Sequence, residues 1–270
     1  MSYSNVLLHR LNLRYPIIQA PMAVVSTPAL VAAVCEAGGL GSLALGASSV
    51  DQARSMIAAT QALTNKPFNV NVFCHTTPQR NSQNEQAWLA HLQPKFQQFN
   101  HQAPEQLDEI YLSFLDNPAM LELFLEMKPA VVSFHFNVPS REVINALKEK
   151  GIFTMATATN LHEAQLIEQA GIDAIVAQGI EAGGHRGMFE ELTTNQLVAL
   201  LAKHTQLPII ATGGIMDGAD IKQALAHGAS AAQLGTAFLL CPESAANEGY
   251  RRKLKSQTTD NTYLTAAISG

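Results

Sequence analysis

Ile152–Gly179 reads IFTMATATNLHEAQLIEQAGIDAIVAQG, and this stretch decides the fold class. Ile152–Ala158 is a short, densely apolar run. Asn160 then precedes the helix-patterned LHEAQLIEQA, Gly171 closes it, and Ala174–Gln178 is apolar again. An asparagine ahead of a periodic run and a glycine behind it are helix start and stop signals. Strand, short loop, capped helix, glycine, strand is the sequence form of a parallel βαβ unit.

The unit repeats in both directions. Pro16–Met22, Leu40–Leu45, Phe68–Cys74, Ala130–Phe136, Pro208–Gly213 and Ala231–Leu239 are further apolar runs and bring the candidate strands to eight. Their apolar density on both faces suits parallel strands covered by helices. Ser26-Thr27-Pro28 offers a cap and a first-turn proline before ALVAAVCEA, ended by Gly38-Gly39, and Asp217 precedes GADIKQALAH, ended by Gly228. Only the segment from about His75 to Lys128 breaks the rhythm. It holds Gln/Asn-rich helical stretches and reads as a helical insertion after the third strand, either a cap beside the barrel mouth or a surface excursion. Trp88, the single tryptophan, is expected in the core of that insertion.

Eight strands can close or lie open. An open doubly wound sheet should carry a Gly-x-Gly-x-x-Gly turn after its first strand. That strand ends instead in Gln19-Ala20-Pro21-Met22, and the glycine-rich turns fall around strands six, seven and eight. The predicted fold is an α/β (β/α)8 TIM barrel, one domain over residues 1–270 with the insertion at about 75–128.

Bulk composition narrows the function classes. A hydrophobic share of 47% against 14% charged residues fits a packed globular chain. The net charge of −5, with no cluster of Lys and Arg that offers a phosphate-neutralising face, argues against broad nucleic-acid binding. Arg251-Arg252-Lys253 with Lys255 reads as the solvated end of a late helix. Cys35, Cys74 and Cys241 are odd in number and far apart, without metal or disulfide spacing, which predicts no metal and a reducing cytoplasm. The N-terminus lacks a continuous apolar core, so no signal peptide is expected, and no apolar stretch is long enough to span a membrane. A monomer and a homodimer are equally compatible with the chain.

In a (β/α)8 barrel the chemistry sits at the C-terminal strand ends, with phosphate at the loops after strands seven and eight. Thr212-Gly213-Gly214-Ile215 and Gln233-Leu234-Gly235-Thr236 occupy those places. Glycine lets backbone N–H groups face a phosphate without a Cβ in the way, and a following helix N-terminus adds its dipole. A tight βα turn alone would also explain Gly213-Gly214. Gln178–Gly187 (QGIEAGGHRG) follows strand six with four glycines in ten residues and one histidine. Such a loop can approach a planar cofactor and present His185 as base or hydrogen-bond donor. His75 and His135 either line the mouth or are bonded rim residues. Asn69 and Asn71 alternate on strand three, so both point to one side, and they and Gln178 need polar partners there.

These motifs resemble the nitronate monooxygenase family, formerly called 2-nitropropane dioxygenases. The resemblance runs from Pro16 onward and rests on PIIQAPM, AGGLGSLALG, PFNVNVFCH, AQGIEAGGHRG, ATGGI and AAQLGTAFLLCPE; the Asn-x-Asn-x-Phe-Cys-His form is most similar to class I members. It implies FMN held by Ala20, Met22, Asn71, Gln178, Gly183, Gly214, Gln233, Leu234, Gly235 and Thr236, with His185 catalytic. The implied reaction oxidises alkyl nitronates, propionate 3-nitronate being typical, with O2 to a carbonyl compound and nitrite. The resemblance also implies a C-terminal segment returning over the mouth; the sequence ends at Gly270, soon after strand eight, leaving the substrate side expected to be the more open. A flavin-dependent enoyl-acyl-carrier-protein reductase or NAD(P)H:quinone reductase shares this barrel and is the alternative. A non-catalytic flavin-binding protein is the third reading.

Overall fold

Eight strands run parallel in a single sheet: β1 (Ile17–Gln19), β2 (Ser42–Ala44), β3 (Asn69–Phe73), β4 (Val131–His135), β5 (Phe153–Ala158), β6 (Ala174–Gln178), β7 (Ile209–Thr212) and β8 (Ala231–Leu234). This computed structural model describes residues 3–109, 111–187, 190–256 and 263–266. From β2 to β8 each strand pairs with its sequence neighbour, and β8 returns to β1 with Gln19 opposite Leu234. Between β1 and β2 the seam is made by Gln19 N–H donating to the Leu40 carbonyl and Leu40 N–H donating to that of Ile17. The sheet is therefore a closed barrel, as the repeated βα units predict.

The helices are α1 (Tyr3–Arg10), α2 (Pro28–Ala37), α3 (Val50–Leu63), α4 (Ser82–Gln98), α5 (Pro118–Met127), α6 (Arg141–Glu149), α7 (Leu161–Ala170), α8 (Thr194–Leu201), α9 (Gly218–Ala226) and α10 (Glu248–Ser256). The expected caps are present: Thr27 accepts from Leu30 N–H, and Asn160 accepts from Glu163 N–H at 2.9 Å. Gly171 ends α7 at φ +90°.

Two apolar layers hold the barrel. Inside, Ile18, Leu40, Val131, Met155, Val176 and Ile210 fill the lower half, and Leu7, Leu11 and Leu13, in and just after α1, plug the floor. Outside, residues of opposite parity such as Val70, Phe134, Ile175 and Ala211 pack against the helices. Each fully buried large aliphatic or aromatic side chain contributes roughly 1.5–3 kcal/mol of transfer free energy. The floor is filled, so ligands must enter from the other end.

Several details differ from the sequence reading. The eighth run ends as a strand at Leu234, and a 3₁₀ turn at Thr236–Phe238 follows, in which Ala237 and Phe238 pack onto the helix-side core instead of extending the ladder. Within the 75–128 segment, α5 packs on α3 and α6 and so acts as the crossover helix between β3 and β4. What lies outside the regular pattern is α4 and its flanks. Trp88 is 52% exposed and stacks on His91, whereas the buried residue of α4 is Leu89; the helix turns its tryptophan outward. Arg251 is no solvated end either: its guanidinium donates to the carbonyls of Leu240, Cys241, Ser244 and Ala246 and ties α10 to the loop after β8.

Candidate active site

Above the apolar floor the inner face turns polar. Strand periodicity puts Asn69, Asn71 and Phe73 on one side of β3 and Ser133 and His135 on the matching side of β4. Both asparagine amides donate to the Ser133 hydroxyl, Asn69 at 2.9 Å and Asn71 at 3.0 Å. The two asparagines therefore do share a face. Much of their donor capacity is satisfied by the protein, with the Asn69 Oδ1 left buried and unpartnered among the described residues.

Across the mouth, Gln178 ends β6 and is 7% exposed. Its Nε2 donates to the backbone carbonyl of His185 at 3.0 Å, while its Oε1 is buried with no protein partner among the described residues. An orphaned buried acceptor costs about 1–3 kcal/mol. It marks a place where a donor from outside the protein is expected.

His185 is half-buried in the loop after β6. Phe73, Phe136 and Tyr111 surround its ring at centroid distances of 5.6, 6.0 and 6.2 Å. Phe136 holds a left-handed backbone conformation, φ +77°, immediately beyond β4. A bulky residue there is strained, and such strain gathers at functional sites. Sequence reading missed these three rings. The only available signal was that Phe73 shares strand parity with Asn69 and Asn71.

The loop itself is anchored. Arg186 donates to the carbonyls of Gly179 and Glu190. Glu181 accepts from both the N–H and the hydroxyl of Thr194 at the start of α8, at 2.8 and 3.0 Å. Gly213 and Gly214 sit at φ +126° and +68°, and a Cβ on Gly213 would stand 2.5 Å from the Thr194 hydroxyl. Here glycine is required by the protein. At Gly183 it is not: no atom of the described residues lies within 4 Å of the place a Cβ would occupy, which leaves that backbone open to a ligand.

At the ends of β7 and β8, the N–H groups of Gly213, Gly214, Gly235, Thr236 and Ala237 have no acceptor among the described residues. A set of unoccupied donors at two adjacent strand ends suits an anion. At the N-terminus of α9 the first N–H groups already have acceptors. Asp217 caps its Ala219 and Asp220 N–H groups, and Asp220 accepts from Met216 and Asp217, so the helix satisfies itself. Ala20 and Met22 border the β8 end, each with an atom 3.7 Å from where a Gly235 Cβ would lie. Gln233 shares the inner parity with Ala231, and its carbonyl accepts from the Thr212 hydroxyl. Leu234 faces the other way into the helix-side core, so it can meet a ligand only through its backbone.

His135 is 8% exposed, and its Nε2 lies 3.1 Å from the His185 carbonyl oxygen. Burial pushes its pKa down to about 4, with the neighbouring His185 a lesser cause and the bond to the His185 carbonyl acting the other way. Cys35, pushed up by burial to about 11, and Cys74, raised by the same cause, supply no thiolate. No group of three or more His, Cys, Asp or Glu among the described residues gathers as a metal site. A cavity of about 340 Å³ opens at the opposite end of the barrel, lined by Arg14, Cys35, Glu36 and Lys66. That end serves stability in this fold, whereas the buried Gln178 oxygen that has no partner among the described residues lies at the other.

A family model described as nitronate monooxygenase matches residues 4–270. The chain belongs to the nitronate monooxygenase family. It is 58% identical over 270 residues to a nitronate monooxygenase of Paraburkholderia phytofirmans, covering 98% of this chain and 74% of that protein. With the nitronate monooxygenase of Pseudomonas aeruginosa it shares 52% over 266 residues, covering 96% and 76%. Among solved structures, nitroalkane oxidase from Streptomyces ansochromogenes superposes with a TM-score of 0.80 at 39% identity, over 92% of this chain and 72% of that one. FabK from Thermotoga maritima gives 0.76 at 31% identity, over 97% and 71%.

Proposed function

We propose that this nitronate monooxygenase family member uses FMN to oxidise alkyl nitronates and nitroalkanes with O2, yielding a carbonyl compound and nitrite, with His185 as its catalytic residue. The observation that carries the reading is the buried, unpartnered Oε1 of Gln178 beside the free N–H groups at the ends of β7 and β8. A ligand with a donor on a flat ring and a phosphate at its far end satisfies both. The residues present thus fit FMN, which when bound supplies the acceptor for the substrate's electrons and passes them to O2.

In this reading Gln178 meets the polar ring edge and the Asn71 amide oxygen faces the same side. Ala20 and Met22 border the ring. Gly183 admits its close approach, and Gln233 with the backbone of Leu234 lines the seat. Gly214, Gly235 and Thr236 hold the phosphate through N–H groups. His185 then works on the substrate. A nitronate already carries the negative charge, so the imidazole holds its nitro oxygens. A neutral nitroalkane has an α-proton, which the same imidazole removes as general base. The aromatic walls exclude water and leave the alkyl group an apolar surface. We also assign the chain to the cytoplasm, in keeping with its unpaired cysteines.

The test is to load the purified protein with FMN, record its visible spectrum, and mix it anaerobically with an alkyl nitronate or with NADH. Bleaching of the flavin bands by the nitronate but not by NADH is expected, with nitrite formed in air. Rapid bleaching by NADH alone would favour the reductase alternative.

A further inference from the structure

We infer that His135 is a positioning residue for the reaction, gripping the backbone carbonyl of His185 together with Gln178 and so fixing where the catalytic imidazole stands. The inference rests on the reading of His185 given above.

The geometry is a two-donor grip on one oxygen. Nε2 of His135 lies at 3.1 Å and Nε2 of Gln178 at 3.0 Å from the His185 carbonyl. A carbonyl oxygen has two lone pairs and no proton, so both nitrogens must donate. The His135 proton is thereby placed on Nε2. Burial keeps this imidazole neutral at ordinary pH, so it is a fixed donor and not a proton carrier.

The donors come from β4 and β6, two strands separated by β5. The carbonyl is thus held from two directions across the mouth. The loop's own anchors, Arg186 on the Gly179 and Glu190 carbonyls and Glu181 on Thr194, bond groups other than this carbonyl. Gly183 and Gly184 precede His185, Gly187 follows two residues later, and Gly184 already stands at φ +77°. A glycine-rich backbone has the most conformational freedom to lose. Phe73, Tyr111 and Phe136 flank the imidazole, but contacts between rings set direction only loosely. Hydrogen bonds to the carbonyl set the register of the residue. Misplacing a catalytic group by about 1 Å can cost on the order of 10²-fold in rate.

The experiment compares His135→Leu, His135→Gln and His185→Asn with the parent chain, each loaded with FMN. Glutamine keeps an N–H donor; leucine keeps bulk without one. His135→Leu is expected to lower kcat by at least about tenfold with a smaller change in KM, and His135→Gln to recover most of that loss. In FMN-free protein, hydrogen exchange of peptides spanning 179–187 should be faster in the Leu variant and close to the parent in the Gln variant. Parent-like kcat and loop exchange in His135→Leu, with His185→Asn impaired, would overturn the inference. If the Leu variant does not fold, His135→Gln decides alone: a folded, FMN-binding Gln variant as impaired as His185→Asn also overturns it. Undiminished turnover by His185→Asn would instead sink the reading of His185 and leave the loop-exchange result to judge the grip.

Discussion

Gln178 donates to the His185 carbonyl at 3.0 Å, and its own amide oxygen is buried without a partner among the described residues. One side chain therefore joins the His185 loop to the proposed cofactor seat. Gln178→Leu removes both functions. FMN affinity should fall by roughly tenfold or more, as the loss of one buried hydrogen bond of about 1–2 kcal/mol requires. Quenching of FMN fluorescence on titration into apo-protein measures it. Unaltered affinity would show that the orphaned oxygen meets nothing.

The glycines after β6 and β7 should separate fold from ligand. In Gly213→Ala the new methyl would press on the Thr194 hydroxyl at 2.5 Å and the Ala182 N–H at 2.9 Å, at a φ of +126°. A loss of about 1–3 kcal/mol in apo stability is expected, seen as a lower Tm. Gly183→Ala has open space around it and should leave the apo Tm nearly unmoved while weakening FMN binding. Equal Tm losses in both would contradict the assignment of Gly183 to the ligand.

Buried His135 gives stability a pH dependence of known sign. Its folded pKa of about 4 lies below the ordinary value of 6.5, so the unfolded chain binds the extra proton first. Stability is fully present above about pH 6.5 and falls as pH drops towards about 4, by roughly 3 kcal/mol at most from this residue. Urea unfolding of the parent and of His135→Gln across that window isolates the contribution. The difference between them should change with pH in that window and be flat above about pH 7. A difference that stays constant throughout would contradict a buried, neutral His135.

Trp88 and Phe124 make an opposed pair. Trp88 is 52% exposed and should be readily quenched by acrylamide, and Trp88→Ala should change stability by no more than about 0.5 kcal/mol. Phe124, fully buried in α5, should cost about 3–5 kcal/mol on replacement by alanine. Chemical denaturation measures both.

How much of this was legible beforehand follows from the physics of each part. The capped βα units around Asn160 and Gly171 carry their signals locally, so the barrel could be read from them. Glycine-rich strand ends in a known fold pointed to Gly213-Gly214 and to the His185 loop. Packing choices between distant elements are not written locally. Nothing near Trp88 says that its helix turns it to solvent, or that Arg251 bonds four carbonyls instead of water. Asp217 was legible as a helix starter, but not that its carboxylate takes the Ala219 and Asp220 N–H groups at the start of α9. The rings of Phe73, Tyr111 and Phe136 meet His185 only in three dimensions, one of them by way of a strained backbone.

The most direct test of the central claim is nitrite release by FMN-loaded His185→Asn, with a neutral nitroalkane and with the matching nitronate as substrates. With the general base removed, nitroalkane turnover should fall by about 10²–10⁴-fold while FMN stays bound, and nitronate turnover should suffer less because no proton needs to be taken. Undiminished nitroalkane turnover by the variant would contradict the account.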